Sequence, residues 1–196
     1  METYHFFAML SRMKYINRWG LMRNTRNENI SEHSLDTAII AHALAVIGNE
    51  RFGKSYDASR AALLAIFHDT AEIITGDLPT PVKYYSKDIR SAYKRVEDVA
   101  QESLLKLLPN DLQGQYSSLL KFDDPQDVQL RPLIRAADKL SAIIKCIEEK
   151  KSGSREFETA GKTLLDTVRE MELEEAQCFI EQFLPSYELT LDEQRI

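Results

Sequence analysis

Four side chains of this sequence combine nitrogen and oxygen ligand atoms with apolar surroundings: His33, the adjacent pair His68 and Asp69, and Asp138. The pair follows directly after the apolar run 61–67, and Asp138 interrupts another apolar stretch. A carboxylate in such surroundings costs free energy unless it is paired or bound to a metal ion. One divalent cation held by all four residues would explain why two histidines and two aspartates occur there.

The order of these residues is more informative than any one of them. A single histidine in an apolar helix is commonly a hydrogen-bonded core residue, and an aspartate after an apolar run is often a helix cap or an ion-pair partner. Here a His, a His-Asp pair and an Asp lie on separate predicted helices and span about a hundred residues. This thiolate-free ligand set suits manganese, cobalt, iron, nickel, zinc or magnesium. We predict one divalent cation per chain, with manganese, cobalt or a similar ion expected.

The rest of the sequence predicts a helical scaffold for these ligands. Only seven glycines and six prolines interrupt the 196 residues, and the long stretches between them have helical periodicity. No segment shows the period-two alternation with β-branched residues that is typical of strands. We therefore predict an all-α fold.

The predicted elements follow the caps and breakers of the chain. Asn29 and Glu32 have capping-box spacing at the start of a central helix that is apolar on most of its circumference. Two prolines within 76–81 are expected to exclude helix from that segment. The predicted helices occupy residues 5–16, from Asn29 or Ser31 to about Gly48, from Asp57 to about Ile74, 86–108, 112–121, 126–150, and two segments within 156–184.

Composition restricts the classes of partner. The net charge of −6 argues against a protein that binds nucleic acid by neutralising many phosphates, although one arginine can still hold one small phosphorylated substrate. Cys146 and Cys178 are not spaced for a disulfide framework or a cysteine zinc site. No apolar run reaches the length of about 18 residues that a membrane span needs. We expect no membrane contact and a cytoplasmic location.

Three strings around the four residues resemble those of the bacterial HD-domain 5′-deoxynucleotidases. They are Asn29-Ile30-Ser31-Glu32-His33-Ser34, Phe67-His68-Asp69-Thr70-Ala71-Glu72 with 75–83 after it, and Ala136-Ala137-Asp138-Lys139-Leu140. The resemblance extends to 5–7, 16–19 and 185–186, and it covers nearly the whole chain. It implies a single HD-domain helical bundle over 1–196, with core motifs at about 28–140 and the terminal helices packed on them. It also implies that the protein removes the 5′-phosphate from deoxyribonucleoside 5′-monophosphates.

The resemblance implies roles for two further carboxylates. Glu72 lies four residues after His68 and three after Asp69, so on a continuous helix it would share their face and act as a general acid or base. Its alternative is an exposed glutamate at a helix end. Asp77 is expected to assist catalysis or bind a sugar hydroxyl, and its alternative is a turn cap before Pro79.

Arg18 and Trp19 are the expected contacts for the phosphate and the sugar. A guanidinium presents paired donors to a phosphate, and the indole would leave a 2′-hydroxyl neither room nor a partner. The residues alone leave a solvated arginine and a core tryptophan equally open, and the resemblance favours the functional roles. Other expected substrate contacts are His33, Asp69, Asp77, Leu78, Pro79, Thr80 and Asp138.

Two other functions remain open at this point. An HD hydrolase of another nucleotide, such as a triphosphate, an alarmone or a cyclic nucleotide, would use the same ligands. A helical interaction module with a vestigial metal site is the alternative from another class of protein. The resemblance also implies a homodimer, and the amphipathic C-terminal helices could bury against a second copy.

Overall fold

Helices make up the regular structure of the protein, which we describe from a computed structural model over residues 2–83 and 85–194. Within those ranges the strand-like pairing is one isolated antiparallel bridge between Asn17 and Asn29. The all-α prediction is therefore confirmed, while the outermost residues of the predicted span 1–196 lie outside the described part. The α-helices of the described residues are α1 Phe6–Leu10, α2 Ile30–Phe52, α3 Ala58–Phe67, α4 Glu72–Thr75, α5 Thr80–Lys83, α6 Lys87–Leu105, α7 Asn110–Lys121, α8 Arg131–Lys151, α9 Glu158–Glu170 and α10 Glu174–Gln182. The 3-10 helices are Ser11–Tyr15, Pro125–Asp127, Leu184–Glu188 and Asp192–Gln194.

Helix α2 begins where its sequence signal predicts. The side chain of Asn29 accepts from the Glu32 amide, and the Glu32 carboxylate accepts from the Asn29 amide, which completes the capping box. The helix passes the predicted end at Gly48 and stops at Phe52, before Gly53 in a left-handed conformation. Gly48 serves packing instead, because a Cβ there would lie 2.7 Å from the ring of Tyr56. The glycine lets the connection after α2 fold back against the helix.

Helices α2, α3 and α8 pack together around the main core, and α9 and α10 pack on α8 and α2. The interior is aliphatic, with Leu44, Leu64, Leu133 and Leu140 fully or almost fully buried. The prediction that α2 is buried on most of its circumference is wrong on one face, because Ile39 is 60% exposed and other apolar side chains there are exposed too. Among the described residues, no helix is both long and apolar enough to cross a bilayer.

The predicted helix from Asp57 to Ile74 is interrupted beside the expected metal ligands. Helix α3 ends at Phe67, and α4 starts at Glu72 after a turn. The Thr70 hydroxyl and amide both donate to the Phe67 carbonyl, at 2.8 and 3.2 Å, so a local bond replaces the helical ladder. His68 and Asp69 therefore lie at a helix end and in a turn, not on a continuous helix as predicted.

Three other bounds differ from the predictions for local reasons. The segment 5–16 divides into α1 and a 3-10 helix. The segment 76–81 is not free of helix, because α5 starts at Thr80 and carries its proline in the first turn, where a missing amide hydrogen is tolerated. The predicted helix 126–150 begins only at Arg131, again with a proline in its first turn, and residues 125–127 form a separate 3-10 helix.

Candidate active site

Three parts of the chain bring the four predicted metal ligands together. His33 comes from the first turn of α2, His68 and Asp69 from the turn after α3, and Asp138 from α8. The Nε2 atom of His33 lies 3.1 Å from Asp138 Oδ1 and 3.6 Å from Asp69 Oδ2. His68 Nε2 lies 3.1 Å from Asp69 Oδ2. Residues far apart in sequence thus point their ligand atoms at one place.

The orientation of the two imidazoles fits a metal ion. His68 Nδ1 contacts the Ala65 carbonyl at 2.6 Å, and its buried Nε2 has no hydrogen bond of acceptable geometry. His33 Nδ1 contacts the buried Ser141 hydroxyl at 3.1 Å, so its Nε2 also faces the carboxylates. One ligand atom from each of His33, His68 and Asp138 lies within 4.8 Å of the others. These residues could hold a divalent cation, with Asp69 beside them.

The charges of this cluster favour a cation at its centre. Burial opposes ionisation of Asp69 and Asp138, but the facing imidazoles outweigh it and hold the pKa of both carboxyls below the usual range. Burial likewise opposes protonation of His68, but Asp69 raises the pKa of that imidazole to about 9. A proton on His68 would therefore balance part of the negative charge of the two carboxylates. A divalent cation would replace that proton.

Glu72 is a buried carboxyl without a hydrogen-bond partner for one of its oxygens. Its residue is 8% exposed, and Oε2 is completely enclosed. Burial, and then the negative charges of Asp69 and Asp77, raise the pKa of Glu72 to about 10. The alternative of an exposed glutamate is therefore wrong. The shared helical face expected for Glu72 and His68 is wrong too, since the chain turns between them, yet Glu72 reaches the same cavity as Asp69.

The side chain of Arg18 is largely buried and forms an ion pair. Its side chain is 12% exposed, and its Nη1 donates to Glu28 Oε2 at 2.6 Å. The Nε1 atom of Trp19 donates to the same carboxylate oxygen at 3.1 Å. The sequence analysis missed Glu28, because a single glutamate in a polar and basic loop carries no signal of burial. This carboxylate joins the two residues that were predicted to contact the phosphate and the sugar.

The backbone of Trp19 connects two loops of the site. Trp19 has φ 61°, in the left-handed region that residues with a side chain rarely adopt. Its amide donates to Asp77 Oδ2 at 3.1 Å, which links the loop after α1 to the loop before α5. The indole edge packs on the buried ring of Phe157 with centroids 5.3 Å apart. The expected turn-capping alternative for Asp77 is thus replaced by a contact between loops.

A cavity of about 630 Å³ lies beside the predicted metal ligands, and most of the predicted site residues line it. Those that line it are Arg18, Trp19, Asp69, Glu72, Asp77, Leu78, Pro79, Thr80 and Asp138. His33 is fully buried and His68 is largely buried, so both lie below this lining. Further lining comes from residues the sequence did not indicate, among them Met22, Lys139, Ala142, Thr159, Thr163 and Leu164. The volume lies within the range of about 300–1,000 Å³ that is usual for small-molecule sites.

An all-α bundle that assembles a His, a His-Asp pair and an Asp beneath a cavity defines the class of HD-domain phosphohydrolases. An HD-domain phosphohydrolase of Listeria innocua has the same fold, with a TM-score of 0.81 at 23% identity over 93% of this chain and 88% of that chain. An HD phosphohydrolase of cyanophage S-2L, bound to dA and one catalytic Zn²⁺ ion, gives 0.67 at 19% identity over 91% and 96%. At these identities the likeness shows the fold alone.

Sequence similarity defines the family within this class. The family model described as 5′-deoxynucleotidase YfbR-like matches residues 5–187. A 5′-deoxynucleotidase of Vibrio cholerae serotype O1 is 47% identical over 193 residues, which cover 98% of this chain and 99% of that protein. The chain therefore belongs to the YfbR-like 5′-deoxynucleotidase family, as its motifs predicted.

Proposed function

We propose that this protein is a metal-dependent 5′-deoxynucleotidase that converts a deoxyribonucleoside 5′-monophosphate to the deoxyribonucleoside and phosphate. The observation that carries the proposal is one cavity lined by a buried arginine, a buried carboxyl with an enclosed oxygen, and two carboxylates of the predicted metal site. Membership of the YfbR-like family supports the same reaction. The cavity volume also suits one nucleoside monophosphate.

We assign one divalent cation to His33, His68, Asp69 and Asp138, with manganese, cobalt or a similar ion expected. The convergence of His33, His68 and Asp138 supports this assignment, and Asp69 adds a second carboxylate at the same place. A divalent cation supplies Lewis-acid activation of water and of the phosphoryl group when it is bound. Asp69 and Asp138 line the cavity and are also assigned to the substrate side of the site, next to the phosphate, whereas His33, which was expected to contact substrate too, is fully buried below that lining.

Arg18 holds the phosphate, and Glu72 is our candidate for the proton donor. Glu28 uses one donor of the Arg18 guanidinium, so further N–H groups remain for the phosphate oxygens. As a water oxygen bonds to phosphorus, the bond between phosphorus and the 5′-oxygen breaks. The 5′-oxygen takes a proton from Glu72, one proton of the water returns to Glu72, and the other stays on the phosphate. Burial raises the pKa of the Glu72 carboxyl and so favours the protonated form that such a donor needs.

Trp19 and the loop 77–80 are assigned to the sugar side of the cavity. The indole is held as a rigid wall, and a 2′-hydroxyl against it would be buried without a partner. Asp77 holds the Trp19 backbone and contributes a second carboxylate to the cavity. Leu78, Pro79 and Thr80 shape the lining beside it. This arrangement is our explanation for selection of deoxyribonucleotides.

The proposal is tested by phosphate release from deoxy- and ribonucleoside 5′-monophosphates after chelator treatment and addition of manganese, cobalt or magnesium. We expect metal-dependent release from the deoxy series, and we expect Asp69→Ala to lose both bound metal and release. Asp98→Ala is the matched control, because Asp98 is 56% exposed on α6 and makes only a long contact with Lys94. No release from any monophosphate under any metal would refute the proposal and direct attention to other nucleotides.

We also propose that the enzyme is a homodimer. Apolar side chains that a second copy would cover are exposed on α2 and after α10, where Leu35 is 58%, Ile39 60% and Phe183 41% exposed. A monomer mass by light scattering at micromolar protein concentration would refute the dimer. The cytoplasmic location stays a prediction of the sequence.

A further inference from the structure

Glu28 lies behind the cavity, at the end of the loop that carries Arg18 and Trp19. It is 9% exposed, and one of its carboxylate oxygens accepts from both the Arg18 guanidinium and the Trp19 indole. We propose that Glu28 is a positioning residue that sets the phosphate-binding arginine and the sugar-facing tryptophan relative to each other. The proposal deepens the proposed function and rests on it for its kinetic readout.

Glu28 holds the backbone of the loop as well as its side chains. The Arg18 amide donates to the Glu28 carbonyl at 2.9 Å, beside the bridge between Asn17 and Asn29. The two ends of the loop are therefore joined, and the Glu28 carboxylate comes to lie where both donors reach it. The bond to Arg18 is short at 2.6 Å, as expected for a charge-assisted hydrogen bond between partly enclosed groups.

Trp19 is held at several points, and its ring nitrogen donates to Glu28. The amide of Trp19 donates to Asp77, and the ring edge packs on Phe157. The guanidinium carbon of Arg18 also lies 5.7 Å from the centroid of the indole. Among these ring contacts, the hydrogen bond from Nε1 to Glu28 is the directed one, and it orients the ring on a backbone in a disfavoured conformation. Loss of this hydrogen bond should make the indole ring more mobile, while the Trp19 backbone stays bound to Asp77.

Arg18 is ordered by the same carboxylate before any substrate is present. A long side chain loses rotamer freedom when it binds, and prior ordering by Glu28 removes that cost from the binding step. Glu28 also keeps the guanidinium nearly buried while leaving its other donors available. Both the affinity for the phosphate and the discrimination at the sugar should therefore depend on a residue that does not line the cavity.

Three variants separate these effects. Glu28→Ala removes both hydrogen bonds, whereas Glu28→Gln can place its amide oxygen where Oε2 lies and accept from both donors without the charge. Glu32→Gln is the matched control, since Glu32 lies four residues further on, is 44% exposed and contacts neither Arg18 nor Trp19. Glutamine at that position still supports a capping box.

The first readout needs no catalysis. Trp19 is the single tryptophan of the chain, so intrinsic fluorescence reports on it alone. We expect acrylamide to quench the Trp19 fluorescence of Glu28→Ala at least about twofold more efficiently than that of wild type, because the ring loses the hydrogen bond that limits its exposure. The quenching efficiency of Glu28→Gln should be close to that of wild type, and that of Glu32→Gln should equal the wild-type value. Equal quenching of Glu28→Ala and wild type, with both folded by circular dichroism, would overturn the proposal.

The second readout is the ratio of kcat/KM for a deoxy- over a ribonucleoside monophosphate. This ratio does not change with the fraction of active enzyme, so a merely destabilised variant would keep it. We expect Glu28→Ala to lower it about tenfold and to raise KM, as loss of a charge-assisted bond implies, with partial rescue in Glu28→Gln. An unchanged ratio in Glu28→Ala would overturn the proposal. If wild type releases no phosphate, the proposed function fails while the quenching result still decides the anchoring role.

Discussion

The ion pair between Lys145 and Glu149 offers a strong test of how the active-site loop is held. Both residues lie on α8 and are almost fully buried, at 4% and 1% exposure. Glu149 accepts from the Thr25 amide and hydroxyl and from the Arg26 amide, and Lys145 donates to the Arg26 carbonyl. The pair therefore attaches the far part of the loop that carries Arg18 to helix α8.

Removal of Glu149 should cost a large fraction of the folding free energy. Burial opposes ionisation of this carboxyl, but hydrogen bonds from Lys145, and then from Thr25 and Arg26, lower the pKa of Glu149 from 4.5 to about 2. That shift corresponds to about 3 kcal/mol. Breaking a buried pair by deleting one partner costs about 3–5 kcal/mol, because the other charge is left unpaired. Total stabilities are about 5–15 kcal/mol, so we expect Glu149→Ala to be severely destabilised.

The assay is urea unfolding at neutral pH followed by circular dichroism, with the double variant Lys145→Met/Glu149→Leu beside the single one. We expect Glu149→Ala to lose about 3–5 kcal/mol, and the double variant to recover part of it, because it leaves no unpaired charge but still deprives Thr25 and Arg26 of their hydrogen-bond partners. A loss below about 1 kcal/mol in the single variant, or a double variant less stable than the single one, would refute the reasoning.

The pH dependence gives an independent check of the same pair. The pKa of Glu149 is lower in the folded than in the unfolded protein, so its contribution is present above about pH 5 and is lost as the pH falls towards 2. Wild type should therefore lose more stability than Glu149→Ala over that interval. Parallel curves for the two proteins would contradict the assigned role of the carboxylate.

Two further predictions concern the metal centre and the proton donor. Ser141→Ala removes the hydroxyl beside His33 Nδ1, and we expect calorimetry to show about 10- to 100-fold weaker metal binding, whereas unchanged affinity would exclude an orienting role for Ser141. Glu72→Gln should retain its metal by elemental analysis but lose about 10²- to 10⁴-fold in kcat, and a kcat equal to wild type would remove Glu72 from the proton-transfer step.

The sequence predicted those parts of the fold that depend on local signals. The capping box at Asn29 and Glu32 identified the start of α2, and this start places His33 in the first turn. Helical periodicity correctly indicated α6 and α8, although their ends differ from the prediction. The interruption after Phe67 was not predictable from periodicity, because the apolar pattern continues through it. It depends on the hydrogen bonds that the Thr70 hydroxyl and amide donate to the Phe67 carbonyl. In a continuous α-helix that carbonyl would accept from the amide four residues further on.

Contacts that depend on tertiary packing could not be predicted from the sequence. Nothing in the sequence around Glu28 distinguishes a buried hydrogen-bond acceptor from a solvated loop glutamate, because the difference arises when the ends of the loop meet. Thr159 and Thr163 line the cavity only because α9 packs against α8. The face of α2 that carries Ile39 is apolar in sequence yet exposed, since no described part of the chain covers it.

The helical periodicity of α8 places a predicted metal ligand and the two residues that anchor the loop carrying Arg18 on one helix. Asp138, Lys145 and Glu149 lie at intervals of seven and four residues, so all three fall near one side of the helix over about 16 Å. Insertion of one residue between Asp138 and Lys145 would turn the loop anchor by about 100° relative to the metal ligand, so that both could not face their partners. Changes in length should therefore be excluded between these residues and tolerated better in the exposed turn at 152–153, and an insertion scan from Asp138 to that turn would show the boundary.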